Sequence, residues 1–135
     1  MKAYWLLKTE PSEFSYEDLQ KIVKAVWDGV TNNLALKHLR SMKKGDLAFI
    51  YHTGDEKSIV GLAEIVTNPY QDPKGNDPKI VVVDIKPKRE FSKKVTLAEI
   101  KAKKEFASFD LVRISRLSVM PVEEILAELL ITLTK

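Results

Sequence analysis

The stretch that most constrains this chain is Tyr4-Trp5-Leu6-Leu7-Lys8. Read with a period of two, it carries aromatic and aliphatic side chains on both faces. Such a strand has to be covered on both sides, so it belongs in the middle of a sheet. Pro11 ends it. Ser15, with Asp18 three residues on, predicts a helix start. Leu19, Ile22, Val23 and Val26 form that helix's apolar stripe, which breaks at Trp27-Asp28-Gly29. Asn32 or Asn33 caps a second helix that buries Leu36, Leu39 and Met42. Lys43-Lys44-Gly45-Asp46 is a turn.

Leu47 to Thr53 alternates as a second strand, and Thr53-Gly54-Asp55-Glu56 turns it back into a third, Ser58 to Val66. Gly61 inside that strand marks a bulge or a close approach of other backbone. Asn68 to Pro78 is a surface loop. Ile80-Val81-Val82-Val83-Asp84-Ile85 is a β-branched strand that runs past Pro87 towards Phe91 with a bend. Thr96-Leu97-Ala98-Glu99 is a capping box opening a short helix to Lys103. A short strand falls within 111–119, and Pro121 opens a last helix that buries Ile125, Leu126, Leu129 and Leu130. Strands interleaved with short helices predict the α+β class, a small curled mixed sheet or barrel flanked by helices.

With 135 residues, 44% of them hydrophobic and 30% charged, the chain fits one domain with its own core. It has no cysteine, which excludes disulfides, thiolate-bound zinc and a cysteine nucleophile. The absence of cysteine fits an intracellular protein. Met1-Lys2-Ala3 leads straight into the first strand with no signal-peptide pattern, and no run approaches the ~20 apolar residues of a membrane span. The net charge of +3 is unevenly spread. Eleven Lys or Arg lie between Lys79 and Arg116 against five acids, whereas the chain before Lys79 is nearly balanced. Such a basic half holds phosphates or simply aids solubility.

Catalytic constellations are sparse. His38 lies on a helix among Lys37 and Arg40, the setting of a solvated side chain. His52 ends a strand near Asp55 and Glu56, and with Glu10 it offers an acid–base pair. No metal-binding or phosphate-cradling motif is present. The polar groups that stand out are Lys8-Thr9-Glu10 at one strand end, Trp27, Asp28, Asn32 and Asn33 between two helices, and Tyr51-His52-Thr53 at another strand end. Brought together, these would form a cleft with aromatic walls and hydrogen-bonding edges, suited to a planar heterocycle. The plainer alternatives are core roles for Trp5 and Trp27, a cap or ion-pair role for Glu10, and an N-cap role for Asn33.

The same residues resemble the EVE domain family. The matching pieces are Tyr4-Trp5-Leu6-Leu7-Lys8-Thr9-Glu10-Pro11, Trp27-Asp28-Gly29-Val30 with Asn32, Gly45-Asp46 leading to Tyr51-His52-Thr53, Ile59-Val60-Gly61, and Arg116-Leu117-Ser118-Val119-Met120-Pro121-Val122. They occur in family order and cover nearly the whole chain, identifying 1–135 as a single EVE domain. The resemblance implies a PUA-like fold, related to readers of methylated adenine in RNA. It also implies recognition of a modified base, such as a modified cytosine, in DNA or RNA, without catalysis or cofactor.

Carried over by position, the base pocket involves Trp5, Lys8, Thr9, Glu10, Trp27, Asn32, Asn33, Tyr51, His52, Thr53, Arg116, Leu117 and Ser118. Lys88, Arg89, Lys93 and Lys94 are the expected phosphate contacts. The expected partner is nucleic acid, not membrane, and the expected location is intracellular: cytoplasmic, or nuclear in a eukaryote. Thr31 stands where the family commonly has Arg, which removes a cation near the pocket. Thr53 replaces a family Ser, and the last helix lacks a Trp frequent in the family. The contrasting reading is a small enzyme acting on a nucleotide or metabolite through His52 and Glu10.

Overall fold

A computed structural model describes residues 2–135; Met1, where the signal-peptide reading begins, lies outside them. The sheet is mixed and follows the order β2-β6-β4-β3-β1-β7, with a two-residue β5 (Tyr70–Gln71) pairing β6. Its strands are β1 (Tyr4–Thr9), β2 (Ala25–Trp27), β3 (Leu47–His52), β4 (Ser58–Ile65), β6 (Val81–Thr96) and β7 (Val119–Val122). The helices are α1 (Tyr16–Ile22), α2 (Asn33–Ser41), α3 (Leu97–Lys101), α4 (Asp110–Arg113) and α5 (Glu124–Leu133).

β1 lies between β3 and β7, parallel to the first and antiparallel to the second. Trp5, Leu6 and Leu7 are buried, as a strand covered on both faces requires. The sheet curls. Phe49 of β3 and Phe91 of β6 lie on strands separated by β4, yet their ring centroids are 6.2 Å apart. In a flat sheet, strands two apart are separated by about 9.5 Å. Register shifts between Ile50 and Tyr51, between Ile59 and Gly61, and between Leu62 and Ala63 supply local bends. The bend expected near Pro87 coincides with the last of these.

Gly61 is required by packing. A Cβ there would sit 2.6 Å from the Tyr16 ring, and the Tyr16 hydroxyl donates to the Leu62 carbonyl. Of the two readings offered from sequence, the bulge is present as a register shift at Gly61, and the close neighbour is a side chain, not backbone.

Both predicted capping boxes form, at Ser15/Asp18 and Thr96/Glu99. Asn32, not Asn33, is the N-cap of α2. The apolar stripe assigned to the first helix is not one. Only Leu19 of its four members is buried, whereas Ile22, Val23 and Val26 are 54%, 58% and 46% exposed. The helix stops at Ile22, and Val26 belongs to β2, a strand the sequence reading missed because its three residues are too few to show alternation. The loop after Asn68 likewise contains β5. The strand sought within 111–119 begins only at Val119, with α4 occupying part of that stretch. Pro121 sits inside β7 near the sheet edge, where its missing N–H is tolerated, so α5 starts three residues later. With that phase, Ile125 is 70% exposed instead of buried.

Two local features carry consequences. Val23 has φ 71° and ψ −34°, and Lys24 N–H donates to the Ile22 carbonyl at 2.8 Å. This is a strained γ-turn centred on an exposed β-branched residue. His52, buried at the end of β3, accepts at Nε2 from the Tyr16 N–H and faces Glu56 Oε1 from Nδ1 at 3.1 Å. Because Nε2 accepts, the proton lies on Nδ1, where it donates to the carboxylate. The ring thereby ties the start of α1 to the end of β3, and neither nitrogen is left to serve as acid or base in a cleft.

Val23→Gly relieves the turn without losing buried surface. Offset against glycine's extra unfolded-state freedom, the expected gain is about 1 kcal/mol in urea denaturation. His52→Ala orphans the buried Tyr16 N–H, with an expected loss of about 2–3 kcal/mol in the same measurement.

Candidate nucleic-acid interface

The parallel pairing of β1 and β3 sets Lys8 opposite Tyr51 and Thr9 opposite His52, so the polar ends of both strands lie side by side. Lys8 N–H donates to the Ser118 carbonyl, which adds the segment leading into β7. Beside these ends opens a cleft of about 620 Å³, within the range of small-molecule sites. Lys8, Thr9, Glu10 and Ser118 line one side. Trp27, Asp28, Gly29, Val30, Thr31 and Asn32 line the other, and Glu13, Phe14, Ile22, Lys24, Ala25 and Val26 complete it.

The two tryptophans are now distinguished. Trp5 is core: its indole N–H donates to Asp46 Oδ2 at 2.9 Å, and it does not line the cleft. Asp46 also accepts from the N–H groups of Ala3 and Lys43, so the indole helps hold the turn before β3. Trp27 is buried too, at 8% exposed and within the core, but it also lines the cleft, braced by Phe14 packed edge-on against its ring at 6.1 Å. Among the described residues no acceptor binds its indole N–H, and that atom is not sealed from solvent.

Each polar wall residue has a defined residual capacity. Asn32 Oδ1 accepts from the Ala35 N–H as the α2 cap, so its amide presents only donors to the cleft. Thr9 Oγ1 donates to the Phe14 carbonyl. Glu10 accepts from the Ser12 backbone and hydroxyl at Oε1 and from Thr53 at Oε2, not from Lys8. Asp28 pairs with exposed Lys74 at 2.8 Å. The Lys8 amine donates to the Ser115 carbonyl at 2.7 Å, and burial holds it below the usual lysine range.

Of the residues expected in the pocket, Lys8, Thr9, Glu10, Trp27, Asn32 and Ser118 share this cleft. Trp5, Asn33, Tyr51, His52, Thr53, Arg116 and Leu117 do not line it. Leu117 is core, Asn33 is the exposed first residue of α2, and Tyr51 and Thr53 line a different cleft. Lys88, Arg89, Lys93 and Lys94 are also absent from the lining. Arg89 lies over the Phe91 ring, and Lys94 pairs with Glu56 at 2.9 Å. Phe14, Ile22, Lys24, Ala25 and Val26 escaped the sequence reading because they reach the cleft only when β2 forms. Thr31 does line it, so the change from arginine bears directly on its charge.

The geometry has counterparts among known proteins. The EVE domain model matches residues 3–133. Thymocyte nuclear protein 1 of Mus musculus is 38% identical over an alignment of 120 residues, with 70% of this chain and 53% of that protein covered. The chain thus spans about half the length of that curated relative. A Rhodopseudomonas palustris protein solved by NMR superposes with a TM-score of 0.93 at 40% identity, covering 98% of this chain and 92% of that one. Human thymocyte nuclear protein 1, crystallised in complex with DNA containing 5-methylcytosine, superposes with a TM-score of 0.90 at 29% identity, covering 99% and 98%. By the extent of the family match and the shared PUA-like architecture, the chain belongs to the EVE domain family.

Proposed function

We propose that this chain is a non-catalytic reader of a modified nucleobase, and that the base enters the Trp27 cleft. DNA carrying 5-methylcytosine is the first ligand to test, because a human relative of the same fold was crystallised with it. The observation that carries the reading is the cleft itself. An indole braced by a second ring stands among apolar residues, with both amide donors and carboxylates in the same lining.

In this reading, a base flipped from a duplex or offered by a single strand lies against Trp27, a contact worth about 1–3 kcal/mol. The Asn32 amide donates to an acceptor on the base edge. Glu10 and Asp28 accept from an exocyclic amine. Val26 and Val30 offer an apolar surface to a methyl group, and the gain from one methyl is modest, about 1 kcal/mol. The polar edge therefore selects the base and the apolar wall selects the modification. Such a ligand places the protein where nucleic acid is, in the cytoplasm or, in a eukaryote, the nucleus.

No observation favours the enzymatic alternative, since both His52 nitrogens are engaged within the fold. RNA remains an arm of the test, because nothing in the cleft lining distinguishes its sugar.

The test is titration of labelled DNA and RNA oligonucleotides, methylated and plain, at low salt. The wild-type protein is expected to prefer the methylated form. Trp27→Ala is expected to lose about 10–100-fold in affinity, together with the preference. Asn32→Asp keeps the capping oxygen but replaces the free amide donor with an acceptor, so it is expected to weaken binding while leaving the melting temperature unchanged. Equal wild-type affinity for all four oligonucleotides would sink the reading.

A further inference from the structure

Strand alternation gives β1 and β3 two faces, and the proposed base cleft, at the strand ends, takes Thr9 from one and Lys8 from the other. Lys8 and Tyr51 are register partners and share a face; Thr9 and His52 share the other. Over the Lys8–Tyr51 face lies a second cleft of about 320 Å³. Its polar wall is Lys8, Tyr51, Thr53, Lys57 and Lys101, above an apolar floor that includes Leu97 and Leu111. Among the described residues, Lys8 alone lines both clefts.

Tyr51 is the informative residue here. It is 4% exposed, yet among the described residues its hydroxyl has no hydrogen-bond partner, and it is not sealed from solvent. Tyr51 is one of the residues that line the cleft. Burial pushes the phenol up, so it stays protonated and can donate. Lys8 sits 5.7 Å from the centre of the Tyr51 ring. Among the described residues, neither Lys57 nor Lys101 has a carboxylate within 4.0 Å. Lys57 holds φ 43°, and its carbonyl accepts from the Leu97 N–H, which fixes the backbone beside α3. The adjacent carboxylates are engaged: Glu10 by Ser12 and Thr53, Glu56 by His52 and Lys94. Asp55 is exposed and outside the lining.

We infer that this second cleft binds a backbone phosphate of the strand whose base occupies the Trp27 cleft, through Lys8, Lys57, Lys101 and the Tyr51 hydroxyl. The inference rests on the reader proposal. Three ammonium groups and a buried neutral donor match a compact anion with several acceptor oxygens. Lys8, at the border of both clefts, stands where a nucleotide passes from base to phosphate. A groove lined by Glu56, Lys57, Thr96, Leu97, Ala98 and Lys101 extends the surface towards Lys94, which pairs with that Glu56. The phosphate path thus begins at Lys8 and reaches the Lys93–Lys94 end of β6, while Lys88 and Arg89 lie off it.

The experiment titrates the full chain with methylated and plain DNA oligonucleotides across a range of salt concentrations. It compares wild type with Lys57→Ala, Lys101→Ala, their double variant and Tyr51→Phe. Lys44→Ala, before the opposite end of β3, is the control, and thermal melts check folding. Each lysine variant is expected to weaken methylated and plain DNA alike, by about 3–10-fold at low salt. Each should lower the slope of log affinity against log salt by about one, with the methyl preference intact. Tyr51→Phe is expected to weaken both by about 10-fold with the slope unchanged.

If the folded double variant keeps the wild-type affinity and slope, the phosphate site is wrong, even where the methyl preference survives. If wild type shows no preference but the double variant loses binding, the reader proposal fails and the phosphate site stands. Failure of wild type to bind any oligonucleotide overturns both. An inorganic-phosphate arm separates the sources: phosphate bound at the lysines, with DNA affinity unchanged in the double variant, would assign the cleft to a free anion and overturn the inference.

Discussion

The parallel pairing of β1 with β3 is the constraint on which the rest depends. Six consecutive residues on each strand pair in register, from Tyr4–Leu47 to Thr9–His52. Because side chains alternate, a slip of one residue would exchange Trp5, Leu7 and Thr9 with Leu6 and Lys8 across the sheet. The burial of Leu6 and Leu7 on opposite faces makes any such slip costly. The same register delivers Lys8 with Tyr51 to one face and Thr9 with His52 to the other. Both clefts are consequences of it. Parallel strands end together, and the ends of such strands are where polar groups can gather without breaking the ladder.

Around this pair, buried polar groups tie the connections down. Before β3, Asp46 gathers the Trp5 indole and two backbone N–H groups. After β3, His52 holds the start of α1 and, through Glu56, the turn leading to β4. Tyr16 crosses over Gly61 to reach the Leu62 carbonyl. These ties are made by residue types that a functional reading would readily assign to ligand binding. What separates structure from site is whether the polar atom still has capacity. The Trp5 N–H and both His52 nitrogens do not; the Trp27 N–H, the Asn32 amide and the Tyr51 hydroxyl do.

Much of the fold was legible because its signals are local. The Ser15–Asp18 and Thr96–Glu99 boxes, the Asn32 cap and the alternation of Leu47 to His52 depend on neighbours a few residues away. The failures lie where pairing partners are distant. Ala25–Trp27 reads as the tail of an amphipathic helix and becomes a strand because Val83–Ile85 supplies its ladder. Pro121 reads as a helix opener and is instead held opposite Trp5. The cleft inherits these errors. Trp27 and Asn32 were nameable from sequence, whereas Phe14, Ile22 and Val26 join the lining only after β2 has paired with β6.

The sequence alone determined the class of the chain, its central first strand, its caps and the pool of polar and aromatic residues from which any site is drawn. These follow from periodicity and short-range hydrogen bonding, which act between residues close along the chain. Only the tertiary structure decided how that pool divides. It buried both tryptophans but set only Trp27 against a cleft, turned the Asn32 amide outward by using its oxygen as a cap, and set Tyr51 and Lys8 across the sheet from Thr9. Those outcomes depend on register between strands some forty residues apart. The geometry of one strand against the other sets that register, and no local pattern encodes it.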